Sequence, residues 1–260
     1  MAAATPPTPF RLSRVTALIG PYGSGKTELT IGLALDAARK AAAKGSPWAK
    51  VALGDIDVIK PYFRSREAGD HLVREGVELI APRGVLASAD LPILTPELRG
   101  SVVRKDVQLL LDVGGDPVGA RALGSISDVV GATEYDLLLV LNRYRPFMDT
   151  VESVIEQARR IAAAANLAIT GIISNTNLLE QTSAEDVRWG LELSRAVAAA
   201  LGTEVRLLAV SEHLADEFAE QPGLPPLAVV RRRMLPQFLG GVVLASGQPP
   251  LKPNLDRSDS

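Results

Sequence analysis

Residues 20 to 27 read Gly-Pro-Tyr-Gly-Ser-Gly-Lys-Thr, a complete G-x-x-x-x-G-K-T pattern. It follows a short apolar run, Val15 to Ile19, and opens a helix-forming stretch from Glu28 onward. Such a loop works only in one local context. Small residues let successive backbone N–H groups curl around phosphates when a strand delivers the chain to the loop, and the helix that leaves it turns its positive end toward the anion. In that setting the Lys26 ammonium reaches the β- and γ-phosphates of a nucleotide, and the Thr27 hydroxyl ligates Mg²⁺. Gly20, Tyr22, Gly23, Ser24, Gly25, Lys26, Thr27 and Glu28 are therefore the expected nucleotide-contacting residues.

The rest of the chain repeats the strand-and-helix rhythm that the loop begins. Short apolar runs predict strands near 14–20, 49–55, 77–80, 107–112, 136–142, 168–174 and 204–210, with a last one at Leu227 to Val230. Between them, helices are expected near 26–43, 66–75, 116–131, 150–165, 184–201 and 212–220. Runs such as Leu109-Leu110-Leu111 and Leu137 to Leu141 are apolar without alternation, as strands are when helices cover both faces of a parallel sheet. The expected fold class is α/β, a three-layer, doubly wound, mainly parallel sheet. Residues 12–245 read as one nucleotide-binding domain, with 1–11 a Pro-rich tail and 246–260 a second tail, both expected to be disordered.

Composition narrows the chemistry. The 260 residues include no cysteine, which excludes disulfides, Cys-ligated zinc and an iron–sulfur cluster. A formal charge of −2 gives no global field toward nucleic acid or an anionic membrane. No apolar run approaches the ~18 residues of a membrane span, and Met1 to Pro9 lacks the charged-then-apolar order of a signal peptide, so a soluble cytoplasmic protein is expected.

In an open parallel sheet, ligands gather at the carboxyl ends of the strands. Strand two ends in Gly54-Asp55-Ile56-Asp57, and the fourth in Asp112-Val113-Gly114-Gly115. Mg²⁺ takes oxygen ligands and keeps several waters, so Asp112 is the expected metal carboxylate, with Asp55 near the metal and Asp57 orienting an attacking water. Asp112-x-x-Gly115 lets a backbone N–H approach the γ-phosphate as a switch does. Lys60 to Glu67 adds two aromatics and two arginines, Arg64 and Arg66, which could close on the phosphates or grip an anionic partner; the alternative is a Ser65 cap, with Glu67 opening the next helix and the arginines in salt bridges. The fifth strand leads into Asn142-Arg143-Tyr144-Arg145 and the sixth into Ser174-Asn175-Thr176-Asn177. The Asn175 amide can offer its carbonyl to an exocyclic amine and its NH₂ to a ring nitrogen, which would suit adenine.

In the order and spacing of these motifs, residues 12–220 resemble the MinD/ParA/Mrp-like branch of P-loop ATPases. The Pro-Tyr-Phe-Arg-Ser-Arg-Glu and Ser-Asn-Thr-Asn-Leu segments look like those of a bacterial group of CobQ/CobB/MinD/ParA-type nucleotide-binding proteins. The resemblance implies an ATP-dependent switch that dimerises around nucleotide and hydrolyses slowly until a protein partner stimulates it. It places Lys26 and Thr27 on phosphate and Mg²⁺, Asp57 on water, Asp112 on the metal and Asn175 on the base. One position departs from the family. Its second lysine, which follows the first loop glycine and reaches across the dimer, is replaced here by Pro21, although Arg64 or Arg66 could supply an equivalent charge.

Two other functions fit the same loop: a small-molecule phosphotransferase using Arg64, Arg66 and Arg143 on its acceptor, and a module that senses ATP without hydrolysing it. The guanine-reading N-K-x-D pattern does not occur, which favours ATP over GTP. Arg231-Arg232-Arg233 precedes Met234 to Gly241, where Pro236 and the glycines interrupt any amphipathic membrane helix.

Overall fold

Strands β1 (Val15–Ile19) and β4 (Val107–Val113) are buried along their whole length. Only a sheet covered on both faces permits that. The computed structural model describes residues 11–43, 46–56, 66–80, 96–115, 117–219 and 221–231. These add β2 (Lys50–Ile56), β3 (Val77–Ile80), β5 (Tyr135–Leu141), β6 (Gly171–Ser174), β7 (Val205–Ser211) and β8 (Leu227–Val230). All eight lie in one sheet of order β3-β2-β4-β1-β5-β6-β7-β8, and each neighbouring pair is parallel. The expected three-layer, doubly wound α/β fold is the fold observed. Both predicted tails fall outside the described residues, apart from Arg11.

Alternation along each strand divides the core in two, because successive side chains point to opposite faces. Ala17, Leu109, Leu111, Leu137 and Leu139 face helices α3 (Pro96–Val103), α4 (Pro117–Gly124), α5 (Ser127–Gly131), α6 (Val151–Ala165) and α7 (Ala184–Leu201). Leu18, Leu110, Leu138 and Val140 face α1 (Lys26–Ala42) and α2 (Arg66–Arg74). A smaller cluster packs Val187 and Leu191 of α7 with Leu208, Val210 and Phe218, the last from α8 (Ala215–Ala219).

Several boundaries differ from expectation for local reasons. Helix α3 was not expected, yet Pro96 opens it and Leu98 and Val102 bury one stripe four residues apart. The helix expected over 116–131 is two. Gly124 meets α6 so closely that a Cβ there would stand 2.5 Å from the Ala164 carbonyl oxygen. The Ser125 hydroxyl then donates to Ala122 O at 2.7 Å, offering the backbone an exit from the helix. Residues 168–170 do not extend β6, and 212–220 divides into a 3₁₀ turn, Glu212–Leu214, and α8.

Beyond the loop, α7 is fixed at its start and along its flank. Ser183 and Asp186 form a reciprocal capping box. Farther along, Gly190 presses on the segment after β6: a Cβ there would lie 2.1 Å from Thr176 Oγ1, which accepts the Arg143 N–H at 3.1 Å. Replacing Gly190 by Ala should therefore destabilise the chain by ~1–3 kcal/mol through overpacking. Urea unfolding would measure it, and a change below ~0.5 kcal/mol, typical of an uncrowded surface site, would contradict the packing described.

Candidate functional site

The loop leaving β1 is held by its own backbone. The Ser24 N–H donates to Pro21 O at 3.2 Å, and the Lys26 ammonium donates to the same carbonyl at 3.2 Å. Lys26 is only 7% exposed, so its charge lies within the loop and not in solvent. Gly25 ends the loop in the left-handed region, φ 93°, and no side chain caps α1 after it. A Cβ at Gly25 would stand 2.3 Å from Asn175 Nδ2, so both backbone sign and space require glycine. The uncapped helix start, its macrodipole and the inward lysine together make a cradle for anionic oxygen.

On the β4 side the site is acidic. Thr27 Oγ1 donates to Asp112 Oδ2 at 2.6 Å, joining the first turn of α1 to the end of β4. Asp112 is 2% exposed, and Asp55, its register partner on β2, is 8% exposed. Gly115 lies against the loop so tightly that a Cβ there would be 2.7 Å from Tyr22 N and 2.8 Å from Gly20 O. Among the described residues no group of three or more His, Cys, Asp or Glu could hold a metal ion by itself. Thr27 with one or two carboxylates suits instead a hard cation that keeps most of its water, which is how Mg²⁺ binds.

On the other side stand the loops after β5 and β6. Asn142 ties them together: its Nδ2 donates to Asn177 O at 3.3 Å, and its Oδ1 accepts Tyr144 N–H at 3.1 Å. Asn175 is buried at the end of β6, and its Nδ2 donates to Ser24 O at 2.7 Å. The residue expected to read a base thus braces the phosphate loop, with an amide N–H committed to the loop backbone. The Arg143 guanidinium stacks over Trp189, 3.5 Å from the ring centroid, and donates to Trp189 O at 3.3 Å.

Beside it, Tyr144 donates its hydroxyl to Asp186. That bond holds the Asp186 carboxyl below the usual range, helped by the Ser183 N–H and hydroxyl, and lifts the Tyr144 phenol above its own. Sequence reasoning placed Tyr144 near the site but had no signal for this pairing across 42 residues.

Of the other expected site residues, Tyr22, Gly23 and Gly20 form the loop itself, with Tyr22 63% exposed at its surface. Glu28 lies in the first turn of α1 and also lines a cleft between α1 and β8. Asp57 and Arg64 lie outside the described residues. Arg66 is the first residue of α2, and its side chain is likewise outside them.

No protein-family model matches the chain, and no curated protein matches it in sequence. Among solved structures it is similar to the signal recognition particle receptor FtsY from Elizabethkingia anophelis, at 23% identity over 74% of this chain and 56% of that one, with a TM-score of 0.45. FtsY from Mycoplasma mycoides gives 21%, 77%, 61% and 0.46, and the Thermotoga maritima cell division protein FtsY gives 19%, 78%, 62% and 0.44. A further Elizabethkingia anophelis FtsY structure, in complex with GDP, matches at 20% identity, 76% of this chain, 58% of that one and a TM-score of 0.44. The chain spans less than two thirds of the length of these structures.

The Tyr144–Asp186 pair sets a pH window. The lowered Asp186 contributes stability that is present above the ordinary carboxylate value, ~4, and is lost as pH falls through its folded value. The raised Tyr144 contributes stability that is present below ~10 and is lost as pH rises through its folded value. Tyr144→Phe should therefore lower the urea midpoint at pH 7, and the deficit should shrink steadily as both proteins are taken below pH 4. An equal deficit at pH 7 and at pH 2.5 would show that the hydroxyl acts without the carboxylate.

Proposed function

We propose that this chain is a Mg²⁺-dependent nucleoside triphosphatase, with ATP its nucleotide, that acts as a switch on a protein partner. The single observation that carries the reading is the Thr27–Asp112 hydrogen bond at 2.6 Å beside a lysine already seated in its loop. Lys26 would exchange the Pro21 carbonyl for β- and γ-phosphate oxygens, which costs little rearrangement because the ammonium is already directed inward. Thr27 and Asp112, with Asp55 close by, would hold Mg²⁺, which supplies charge neutralisation at the phosphate oxygens when bound. Asp57, two residues past Asp55, is assigned to orienting the attacking water. Gly115 is assigned to sensing the γ-phosphate, whose loss would release the loops after Asp57 and Asp112.

The sequence resemblance to the MinD/ParA/Mrp-like branch supports a cytoplasmic switch of this kind, in one nucleotide-binding domain over residues 12–245. No helix of the described residues is long and apolar enough to cross a membrane. Pro21 carries neither charge nor N–H, so any nucleotide-dependent homodimer would form without a lysine from that position. Adenine is preferred on the absence of N-K-x-D, with Asn175 lining the base side from its brace on Ser24.

Phosphate release by wild type and Lys26→Ala, with ATP and with GTP, tests the proposal. The variant should lose roughly 10²–10³-fold in turnover, the usual effect of removing one preorganised charge from a phosphoryl-transfer site. Size-exclusion chromatography with and without nucleotide would report dimerisation. ADP formation that needs an added acceptor would instead identify a phosphotransferase, and ATP-induced thermal stabilisation without turnover would identify a sensor. Wild type that neither binds nor hydrolyses any nucleotide would end the reading.

A further inference from the structure

The turn after β5 carries a cation that the triphosphatase reading leaves unused. Arg145 is held by its N–H donating to Asn142 O at 3.0 Å and by the Met148 N–H donating to Arg145 O at 3.0 Å. Its backbone is thus anchored at the carboxyl end of the strand that pairs with β1. The guanidinium lies on the phosphate loop: a Cβ at Gly23 would stand 3.1 Å from Arg145 Cζ, 3.2 Å from Nε and 3.3 Å from Nη1. Arg145 Nε is buried with no hydrogen-bond partner, and the guanidinium forms no ion pair with a described residue.

A buried donor without an acceptor is costly and is retained where something else completes it. Arg143 provides the contrast. Its Nε is also unpartnered, but its guanidinium is stacked on Trp189 and hydrogen-bonded to that residue's carbonyl. Arg145 alone of the two meets the loop.

The sides of the loop differ in sign. Asp112, Asp55 and Gly115 close it from β4 and β2, where a metal and a terminal phosphate belong. Arg145 and Asn175 close it from β5 and β6, the side on which the sugar and base would lie. We propose that Arg145 is a phosphate clamp acting within one chain, pairing with the α- and β-phosphate oxygens of the bound nucleotide, the part that a diphosphate and a triphosphate share. The clamp rests on the nucleotide-binding reading and deepens it. An interaction made equally with substrate and product strengthens binding without accelerating the chemical step. Its charge comes from the same chain as the loop, so it does not depend on a second copy.

Arg145→Ala and Arg145→Lys, with wild type, test this by equilibrium binding of ADP and ATP, steady-state hydrolysis and urea unfolding without nucleotide. In Arg145→Ala the Kd values for ADP and for ATP should rise together by roughly 10- to 100-fold, the effect of losing one charge-assisted contact. The loss in kcat/KM should match that factor and reside in KM, Lys should restore part of it, and the nucleotide-free unfolding midpoint should not fall. Unchanged ADP affinity, or a loss confined to ATP, would overturn the clamp. A lowered nucleotide-free midpoint with no rescue by Lys would overturn it too, by making Arg145 a brace for the loop. Wild type that binds nucleotide while Arg145→Ala binds equally well defeats only the clamp, whereas wild type that binds none defeats the underlying reading as well.

Discussion

One hydrogen bond, from the Thr27 hydroxyl to the Asp112 carboxylate, holds the site's parts in register. It joins the first turn of α1 to the end of β4, and it can form only because β4, not β2, lies beside β1. Asp112 is level with Leu18 across that pair, so the carboxylate emerges where the chain turns into the loop. Burying a carboxylate is unfavourable unless its oxygens find donors. A hydroxyl fixed on the adjacent helix supplies such a donor to Oδ2. The approach of Gly115 to Gly20 and Tyr22 follows from the same adjacency, because the chain leaving β4 has no room to diverge from the loop.

The opposite flank is organised by amides. Asn142 links the turn after β5 to the segment after β6, and Asn175 fastens that segment to Ser24. Thr176, pressed by Gly190 of α7, receives the Arg143 N–H and passes the packing of a helix on the sheet's far flank into the turn that carries Arg145. Rigidity at the site therefore draws on elements well separated in sequence. Asp186 serves twice, in the capping box of α7 and as acceptor for Tyr144.

Much of this was legible in the residues. Continuous apolar runs marked the strands because a sheet covered on both faces asks nothing polar of them, and the glycine spacing at 20–27 marked the loop because backbone and phosphate geometry leave few alternatives. What escaped had physical reasons too. Helix α3 lies in a stretch punctuated by Pro82, Pro92 and Pro96, which reads as loop until Pro96 is taken as a first helical residue. Gly124, where the first of the two helices ends, lies against the Ala164 carbonyl of another helix, an approach between distant elements that no pattern within 116–131 records. Asn175 was placed at the right strand end, but its bond to Ser24 spans 151 residues and is a product of tertiary approach. Sequence reasoning gave Arg143 a role in the phosphotransferase alternative and Arg145 none, yet it is Arg145 that meets Gly23 of the loop while Arg143 stacks on Trp189.

The bare start of α1 has a consequence for the whole chain. Its helix opens from a glycine with no side chain to satisfy it, so part of the molecule's cohesion is deferred to whatever anion occupies the loop. With nucleotide bound as proposed, the molecule's unfolding free energy would rise with the logarithm of ligand concentration above the Kd, so its lifetime in a cell would follow the supply of nucleotide.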